Sequence, residues 1–147
     1  MKISVIIPTL NEESHIENTL QSVTKQDGDY EFSVVDGGST DNTVTIAKKY
    51  TTVINSRRGR AIQMNTGAKA CSGDILLFLH ADTILPDNAF REIRKRMKDD
   101  TLAGGSSYIA FDADTFILRG VSFITRFNFR LFHFGDQGIF VRRSIFQ

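Results

Sequence analysis

The sequence has one cysteine, Cys71, among its 147 residues, so no disulfide can form within the chain. That scarcity makes a reducing compartment, the cytoplasm, the expected location. Long apolar runs are also missing: the longest aliphatic and aromatic stretch is Ile75–Leu79, whereas a membrane-spanning helix needs roughly 18 such residues. Neither the G-x-G-x-x-G fingerprint nor the loop G-x-x-x-x-G-K-[ST] occurs, which argues against nicotinamide enzymes and P-loop nucleotide hydrolases.

The chain has almost no excess of charge, with 18 basic and 17 acidic residues and a net charge of +1. Since a nucleic-acid binder carries a strongly basic face, we expect no nucleic-acid partner. The basic residues are concentrated near the end: residues 116–147 hold five arginines and one acid, Asp136, together with many phenylalanines. The segment 116–134 is compatible with a helix packing on the sheet, which we favour, or with peripheral membrane contact. Its phenylalanines also make a homo-oligomer plausible.

Strand-like and helix-like segments alternate along the chain. Ile3–Ile7 is a continuous apolar, β-branched run, typical of a strand buried on both faces. Further strands are predicted at 30–35, 52–55, 75–79, 102–111 and 138–141, with helices around 16–23, 42–50, 61–71, 86–97 and 115–129. Predicted helix starts use Asn11 or Ser14, then Ser39 or Asp41, then Pro86. This alternation predicts a single α/β domain with a mostly parallel central sheet flanked by helices.

Three polar clusters follow predicted strands: Pro8–Glu13, Asp36–Asp41 and His80–Thr83. Ligands of open α/β sheets bind beyond the carboxyl ends of the strands, so we expect the clusters to meet at that edge. Each cluster also has a purely structural interpretation, and the residues alone leave both open. Asn11 and Glu12 suit helix capping, and Asp36 suits either a base or ribose contact or the capping of its own turn.

The segment His80-Ala81-Asp82 places two side chains of metal-ligating type two residues apart after a buried strand. The oxygen ligand Asp82 suits Mg²⁺ or Mn²⁺ bridging a diphosphate. A helix-capping aspartate beside a hydrogen-bonded histidine is the structural alternative. Three arginines at 57, 58 and 60 form either a solvated loop or a cationic partner for phosphates.

Five motifs along the chain resemble one known family. ISVIIPTLNEE (3–13), VVDGGSTDNT (34–43) and GDILLFLHADT (73–83) look like the family 2 glycosyltransferases of GT-A fold. GRAIQMNTGA (59–68) and GDQG (135–138) look like a bacterial subgroup often called transferase 2, whose acceptor is poorly defined. The resemblance covers essentially the whole chain and implies a GT-A, Rossmann-like fold. It also implies a nucleotide-diphospho-sugar donor.

The resemblance assigns roles by position. The first-strand loop would touch the nucleotide, Asp36 would read the base, and His80-Ala81-Asp82 would take the place of the Asp-x-Asp motif, with the metal on Asp82 and on His80. The family commonly has a second acid where this chain has Gly37. The full predicted donor site is Thr9, Asn11, Glu12, Asp36, Arg60, Gln63, Asn65, His80, Ala81 and Asp82. The predicted cofactor is a divalent metal, Mn²⁺ or Mg²⁺.

The implied reaction is an inverting sugar transfer to a saccharide or lipid-linked acceptor, in which a carboxylate removes the acceptor's proton. The family's base belongs to an acidic pair well downstream of GDQG, and none follows here. Residues 1–100 are therefore interpreted as the nucleotide-sugar-binding half, and 101–147 as the incomplete start of the acceptor half. Asp136 is the in-chain candidate base, with the true base expected beyond Gln147. The alternative functions are a non-catalytic nucleotide-binding or assembly module and, less well matched, a nucleotidyltransferase.

Overall fold

The computed structural model describes residues 1–106 and 138–146, which form an α/β domain around one sheet. Its strands lie in the order β3-β2-β1-β4-β6-β5. The elements in chain order are β1 (Ile3–Thr9), α1 (Ile16–Thr24), β2 (Tyr30–Asp36), α2 (Thr43–Ala47), β3 (Thr52–Asn55), α3 (Arg60–Ala70), β4 (Ile75–Phe78), α4 (Ala89–Arg96), β5 (Gly104–Ser106) and β6 (Ile139–Arg142).

The sheet is mostly parallel, as the sequence predicts. Strands β1, β2, β3 and β4 run parallel to one another, and β6 pairs antiparallel with β4 and with β5. The strand β1 lies between β2 and β4, where its apolar residues are fully buried from both faces. This order brings the carboxyl ends of β2, β1 and β4 side by side.

The two faces of the sheet are covered differently. Helices α1 and α4 pack their apolar residues, such as Leu20 and Phe90, into the larger core cluster on one face. Helix α3 covers the other face, where a Cβ on Gly67 would lie 2.4 Å from Ile6 Cγ2 and 2.9 Å from Val35 Cγ2. Glycine therefore allows α3 to lie directly on β1 and β2, which fixes the amino end of α3 near the carboxyl ends of the strands.

The predicted helix starts need correction. The residue preceding α1 is His15 rather than Asn11 or Ser14, and no side chain caps this helix. The residue preceding α2 is Asn42, although Asp41 Oδ1 accepts a hydrogen bond from Thr43 N at 3.0 Å. Pro86 precedes α4 by three residues, in a turn closed by Ala89 N donating to Pro86 O. Asn11, Ser39 and Asp41, which were expected at helix starts, also join the loops after β1 and β2 to each other.

Several predicted features lie outside the described residues. They are the 115–129 helix, the 116–134 segment, most of the GDQG motif with Asp136, and the part of the 102–111 strand beyond Ser106. Within the described part of the chain, none of the helices has the length and apolar character needed to cross a membrane.

Candidate functional site

The three predicted polar clusters meet at one edge of the sheet, here called the carboxyl rim (residues 9–13, 36–43 and 79–83). Thr9 and Asp36 are direct partners in the parallel pairing of β1 with β2. On the other side of β1, Leu79 N donates to Ile6 O at 3.0 Å, so His80 leaves the sheet beside β1. The convergence expected from the alternating elements is confirmed.

The loops that follow β1 and β2 are held together by reciprocal hydrogen bonds. Asn11, with a left-handed φ of 55°, donates from its backbone to Ser39 Oγ at 2.9 Å and accepts from Thr40 N at 2.8 Å. Glu12 N donates to Thr43 Oγ1 at 2.8 Å, and Glu13 Oε2 accepts from Asn42 N at 3.0 Å. These bonds explain why Asn11 caps no helix: its side chain is committed to the second loop.

Asp41 takes part in the same junction. Although desolvation opposes ionisation, hydrogen bonds from Thr43 and from the backbone of Glu13 lower the pKa of Asp41. The roles of Ser39, Asp41 and Thr43 are absent from the predicted site. The sequence does show several short polar side chains after Asp36, the aspartate that ends β2. It does not show their hydrogen-bond partners, which lie about 30 residues away along the chain.

Asp36 is buried and serves the turn that follows it. Its Oδ2 accepts from Gly38 N at 2.9 Å and Ser39 N at 3.0 Å, and its Oδ1 accepts from Ser39 Oγ. The structure thus shows the turn-capping role of Asp36, and the predicted contact with a base stays a prediction. The carboxylate shapes the loop after β2, and Gly38, with a φ of 97°, lies exposed within it.

Gln63 is buried beneath the carboxyl rim and joins β1 to β2. Its Nε2 donates to Thr9 O and to Val35 O, both at 2.8 Å. A Cβ on Gly37 would lie 3.1 Å from the Gln63 carboxamide, so a larger residue at 37 would crowd this clamp. Glycine at position 37 therefore leaves room for the Gln63 side chain.

Thr9 carries an unsatisfied polar group at the rim. Only 2% of the residue is exposed, and its Oγ1 has no hydrogen-bond partner among the described residues. Buried hydroxyl groups are normally paired, because leaving one unpaired costs about 1–3 kcal/mol. Such an atom is expected where a bound ligand supplies the missing partner.

The third cluster is anchored on both sides. Ala81 is buried and its carbonyl accepts from Thr19 Oγ1 at 2.7 Å, while Thr83 N donates to His80 O at 3.2 Å. His80 Nδ1 lies 3.1 Å from Arg60 Nη2, at the first residue of α3. Asp82 is exposed at the rim.

The remaining predicted residues differ in their surroundings. Glu12 Oε2 lies 3.5 Å from His15 Nδ1, and Asn65 is exposed on α3. Arg57 and Arg58 are exposed in the loop before α3. Asp136 lies outside the described residues.

The rim offers a divalent cation few protein ligands. No cluster of three histidine, cysteine or acidic side chains able to hold a metal occurs within residues 1–106 and 138–146. An exposed carboxylate such as Asp82 nevertheless fits Mg²⁺ or Mn²⁺, which are commonly bound by one or two carboxylates together with substrate phosphates and water.

Comparisons with known proteins agree with this fold. A PGL/p-HBAD biosynthesis glycosyltransferase of Mycobacterium bovis is 32% identical over 97% of this chain, which spans 60% of the length of that relative. The mannosyltransferase PcManGT from Pyrobaculum calidifontis, in complex with GDP-Man and Mn²⁺, is similar with a TM-score of 0.76 and 26% identity, over 97% of this chain and 44% of that one.

A second solved structure is similar over a smaller region. Staphylococcus aureus TarS in complex with UDP-GlcNAc has 30% identity and a TM-score of 0.59, covering 67% of this chain and 32% of that one. The family model described as Glycosyl transferase family 2 matches residues 4–146, nearly the whole sequence. With this match and a sheet of GT-A type, the chain belongs to glycosyl transferase family 2.

Proposed function

We propose that the carboxyl rim binds a nucleotide-diphospho-sugar and that the protein transfers the sugar, with inversion, to a saccharide or lipid-linked acceptor. The observation that carries the proposal is the meeting of three polar segments at the ends of β2, β1 and β4. The relatives support the donor class, since PcManGT is in complex with GDP-Man and TarS with UDP-GlcNAc.

The nucleoside would lie over the joined loops after β1 and β2. Thr9 Oγ1 is the buried hydroxyl group that a nucleoside can satisfy. Asn11 and Asp36 hold those loops in shape, through Thr40 and Ser39 respectively. We infer that Asp36 determines base selectivity indirectly, through the shape of the loop 37–41, because its oxygens already accept hydrogen bonds from that loop.

The diphosphate would lie between the end of β4 and the start of α3. Arg60 supplies a permanent positive charge there, and the N-terminus of α3 adds its partial positive charge. Asp82 would hold the divalent metal, which when bound neutralises the charge that develops on the departing nucleoside diphosphate. The carboxylate that removes the acceptor's proton remains a prediction, and Asp136 is its candidate in this chain.

The proposal also includes the division of the chain into two halves, its location in the cell and its oligomeric state. Residues 1–100 would form the donor half, and 101–147 would begin the acceptor half. A cytoplasmic location at the inner face of the membrane, with contact through 116–134, suits a lipid-linked acceptor. A homo-oligomer formed through the phenylalanine-rich segment stays a prediction.

Thermal unfolding with UDP or GDP, with and without Mn²⁺, tests the donor site. Nucleotide at 100 times its dissociation constant should stabilise the fold by about 2.7 kcal/mol. Asp82→Ala should remove the Mn²⁺-dependent part of that stabilisation and leave the melting temperature of the ligand-free protein unchanged, because Asp82 is exposed.

Asp87→Ala is the matched control, since it removes another exposed carboxylate from the same loop region. It should leave the nucleotide effect intact. If no nucleotide shifted the melting temperature, the proposed function would be wrong. Nucleotide binding without any transfer of sugar would favour a non-catalytic nucleotide-binding or assembly module.

A further inference from the structure

A groove about 810 Å³ in volume lies between α4 and the loop that joins α1 to β2, and it is here called the α4 groove. Small-molecule sites in proteins commonly have volumes of roughly 300–1,000 Å³. Four basic side chains from α4 and the turn after it line the groove: Arg91, Arg94, Lys95 and Lys98. The groove therefore has the size and the charge to hold a small anionic ligand.

The α4 groove lies at the opposite end of the strands from the carboxyl rim. Arg94 donates to Asp27 O at 2.9 Å and to Asp29 O at 2.7 Å, both just before β2. It also donates to Met1 O at 3.1 Å, just before β1. These contacts place the groove beside the amino ends of β1 and β2, so it is separate from the proposed donor site.

The guanidinium group of Arg94 keeps its full charge in the wall of the groove. A guanidinium group has five N–H donors, and the three bonds to neutral carbonyls leave two of them for a ligand. Gly28, with a φ of 91°, lets the loop close on this group, since a Cβ there would lie 2.7 Å from Arg94 Nη1. Within residues 1–106 and 138–146, none of the four basic side chains forms an ion pair with a carboxylate.

The two walls of the groove are joined by a buried side chain. Gln26 is only 5% exposed, and its Nε2 donates to Pro86 O at 2.9 Å. Its Oε1 accepts from Phe90 N, in the first turn of α4, at 3.2 Å. The loop before β2 is thus fixed to the start of α4, and the groove is formed before any ligand arrives. Such preorganisation lowers the entropic cost of binding.

The groove also contains hydrogen-bond acceptors. The exposed side chains of Asp27, Asp87 and Asn88 line it, and Asn88 makes no capping bond to α4. Carboxylate and amide oxygens accept hydrogen bonds from hydroxyl groups, whereas two carboxylates repel a ligand that carries only negative charge. The four basic side chains outnumber the two acids. This combination suits a ligand that has both a phosphate and hydroxyl groups.

We propose that the α4 groove is a second ligand site, which binds a small phosphate ester that also carries hydroxyl groups, such as a sugar phosphate. The phosphate contacts Arg94 together with Lys95 and Lys98, and the hydroxyl groups donate to Asp27. A flat membrane surface fits less well, because Arg94 is half-buried in the groove and carboxylates line it. The proposal does not depend on the donor site at the carboxyl rim.

Nuclear magnetic resonance of the ¹⁵N-labelled 147-residue chain, titrated with glucose 1-phosphate, tests the site. The backbone amides of residues 26–28 and 91–98 should show the largest shifts, and these should saturate. Inorganic phosphate and glucose should each bind about fivefold more weakly or worse, because each lacks the hydrogen bonds that the other makes. Absence of shifts at these residues would overturn the proposal, and so would equal affinities for inorganic phosphate and glucose 1-phosphate.

Charge reversal tests the basic side chains. Lys95→Glu combined with Lys98→Glu should weaken binding of glucose 1-phosphate by about tenfold or more. Lys48→Glu combined with Lys49→Glu makes the same change in net charge at exposed positions after α2, and it should leave the affinity unchanged. All four lysines are exposed, so both variants should fold and keep the wild-type melting temperature. Equal losses of affinity in the two variants would show that binding follows overall charge and would overturn the proposal.

Asp27→Ala tests the hydroxyl contact without removing a partner of Arg94, which bonds to the backbone carbonyl of Asp27. The ratio of the affinity for glucose 1-phosphate to that for inorganic phosphate should fall by about threefold to fivefold. An unchanged ratio would overturn the assigned role of Asp27.

Co-sedimentation with vesicles of phosphatidylcholine and phosphatidylserine distinguishes a free phosphate ester from a lipid headgroup. We expect the vesicles to bind the wild type and the variant with both Lys95→Glu and Lys98→Glu equally. Vesicle binding that this variant abolishes, together with no amide shifts from glucose 1-phosphate, would overturn the proposal and identify the groove as a membrane contact.

Discussion

The two ends of the same parallel sheet differ in how completely their buried polar groups are paired. At the opposite edge, here called the amino rim (Lys2–Ser4, Asp29–Glu31 and Ser72–Asp74), Glu31 accepts from Lys2 Nζ at 2.7 Å, Ser4 Oγ at 2.7 Å and Ser72 N at 2.6 Å. At the carboxyl rim, the buried Thr9 Oγ1 has no partner among the described residues, and Asn11 has a left-handed backbone. Polar groups at the amino rim are bonded within the fold, whereas the carboxyl rim leaves one buried hydroxyl group unpaired among the described residues.

The comparison predicts that substitutions at the amino rim change stability, whereas substitutions at the carboxyl rim change binding. The largest effect is expected for Gly73→Ala. A Cβ at this position would lie 2.5 Å from Ser4 Oγ and 2.8 Å from Ser4 N, and backbone cannot move aside easily. We expect a loss of about 2–3 kcal/mol in the free energy of unfolding, measured by urea denaturation.

Gly38→Ala at the carboxyl rim is the companion variant. A Cβ at Gly38 would meet nothing within 4 Å, and its cost of about 1 kcal/mol arises from the φ of 97° alone. Nucleotide binding by the folded fraction of Gly73→Ala should match the wild type. A loss in Gly73→Ala no larger than that in Gly38→Ala would contradict the steric argument.

Lowering the pH is expected to reduce the free energy of unfolding by a smaller amount. Partial burial opposes ionisation of Glu31, but hydrogen bonds from Lys2, Ser72 and Ser4 lower its pKa from the ordinary 4.5 to about 2. The depressed pKa stabilises the folded state fully above pH 4.5, and this contribution is lost as the pH falls from 4.5 towards 2. Because about a third of the side chain is exposed, we expect the loss to be about 1–2 kcal/mol.

Urea denaturation at several pH values measures this loss. Glu31→Gln should flatten the pH dependence between 4.5 and 2, whereas Glu92→Gln, which removes a carboxylate from α4, should leave it as in the wild type. If both variants kept the wild-type pH dependence, the assigned role of Glu31 would be wrong.

The smallest change in stability, and the sharpest test of the comparison, is expected for Thr9→Val. This substitution removes a hydroxyl group that has no partner among the described residues and keeps the shape of the side chain, so stability should stay constant or rise by up to about 1 kcal/mol. Nucleotide affinity, measured by calorimetry, should fall. Ser4→Ala at the amino rim should do the reverse, losing about 1–2 kcal/mol of stability with unchanged affinity, because Ser4 Oγ is bonded to Glu31 and Gly73.

The stabilities of Thr9→Val and Ser4→Ala, measured side by side, test whether the two rims differ. If Thr9→Val destabilised the fold as much as Ser4→Ala, the Thr9 hydroxyl group would have a structural partner. The two rims would then be alike in their use of polar groups.

Much of the fold follows from local pattern. The apolar, β-branched run 3–7 predicted the buried strand β1, and residues Phe90, Ile93 and Met97 were correctly predicted to share the buried face of α4. The errors concern the starts of helices. Asn11 and Ser14 suited capping by residue type, but Asn11 bonds to Thr40, a partner 29 residues away that no local rule indicates.

The sequence by itself determined the α/β class, the family and the three segments that form the carboxyl rim, because strand periodicity and contiguous motifs are local properties. Only the tertiary structure decided what individual side chains do there. Gln63 bonds to both β1 and β2, and Arg60 contacts His80, which lies 20 residues away in the sequence. These roles depend on the close packing of α3 on the sheet, and so they become defined only when helix and strands come together.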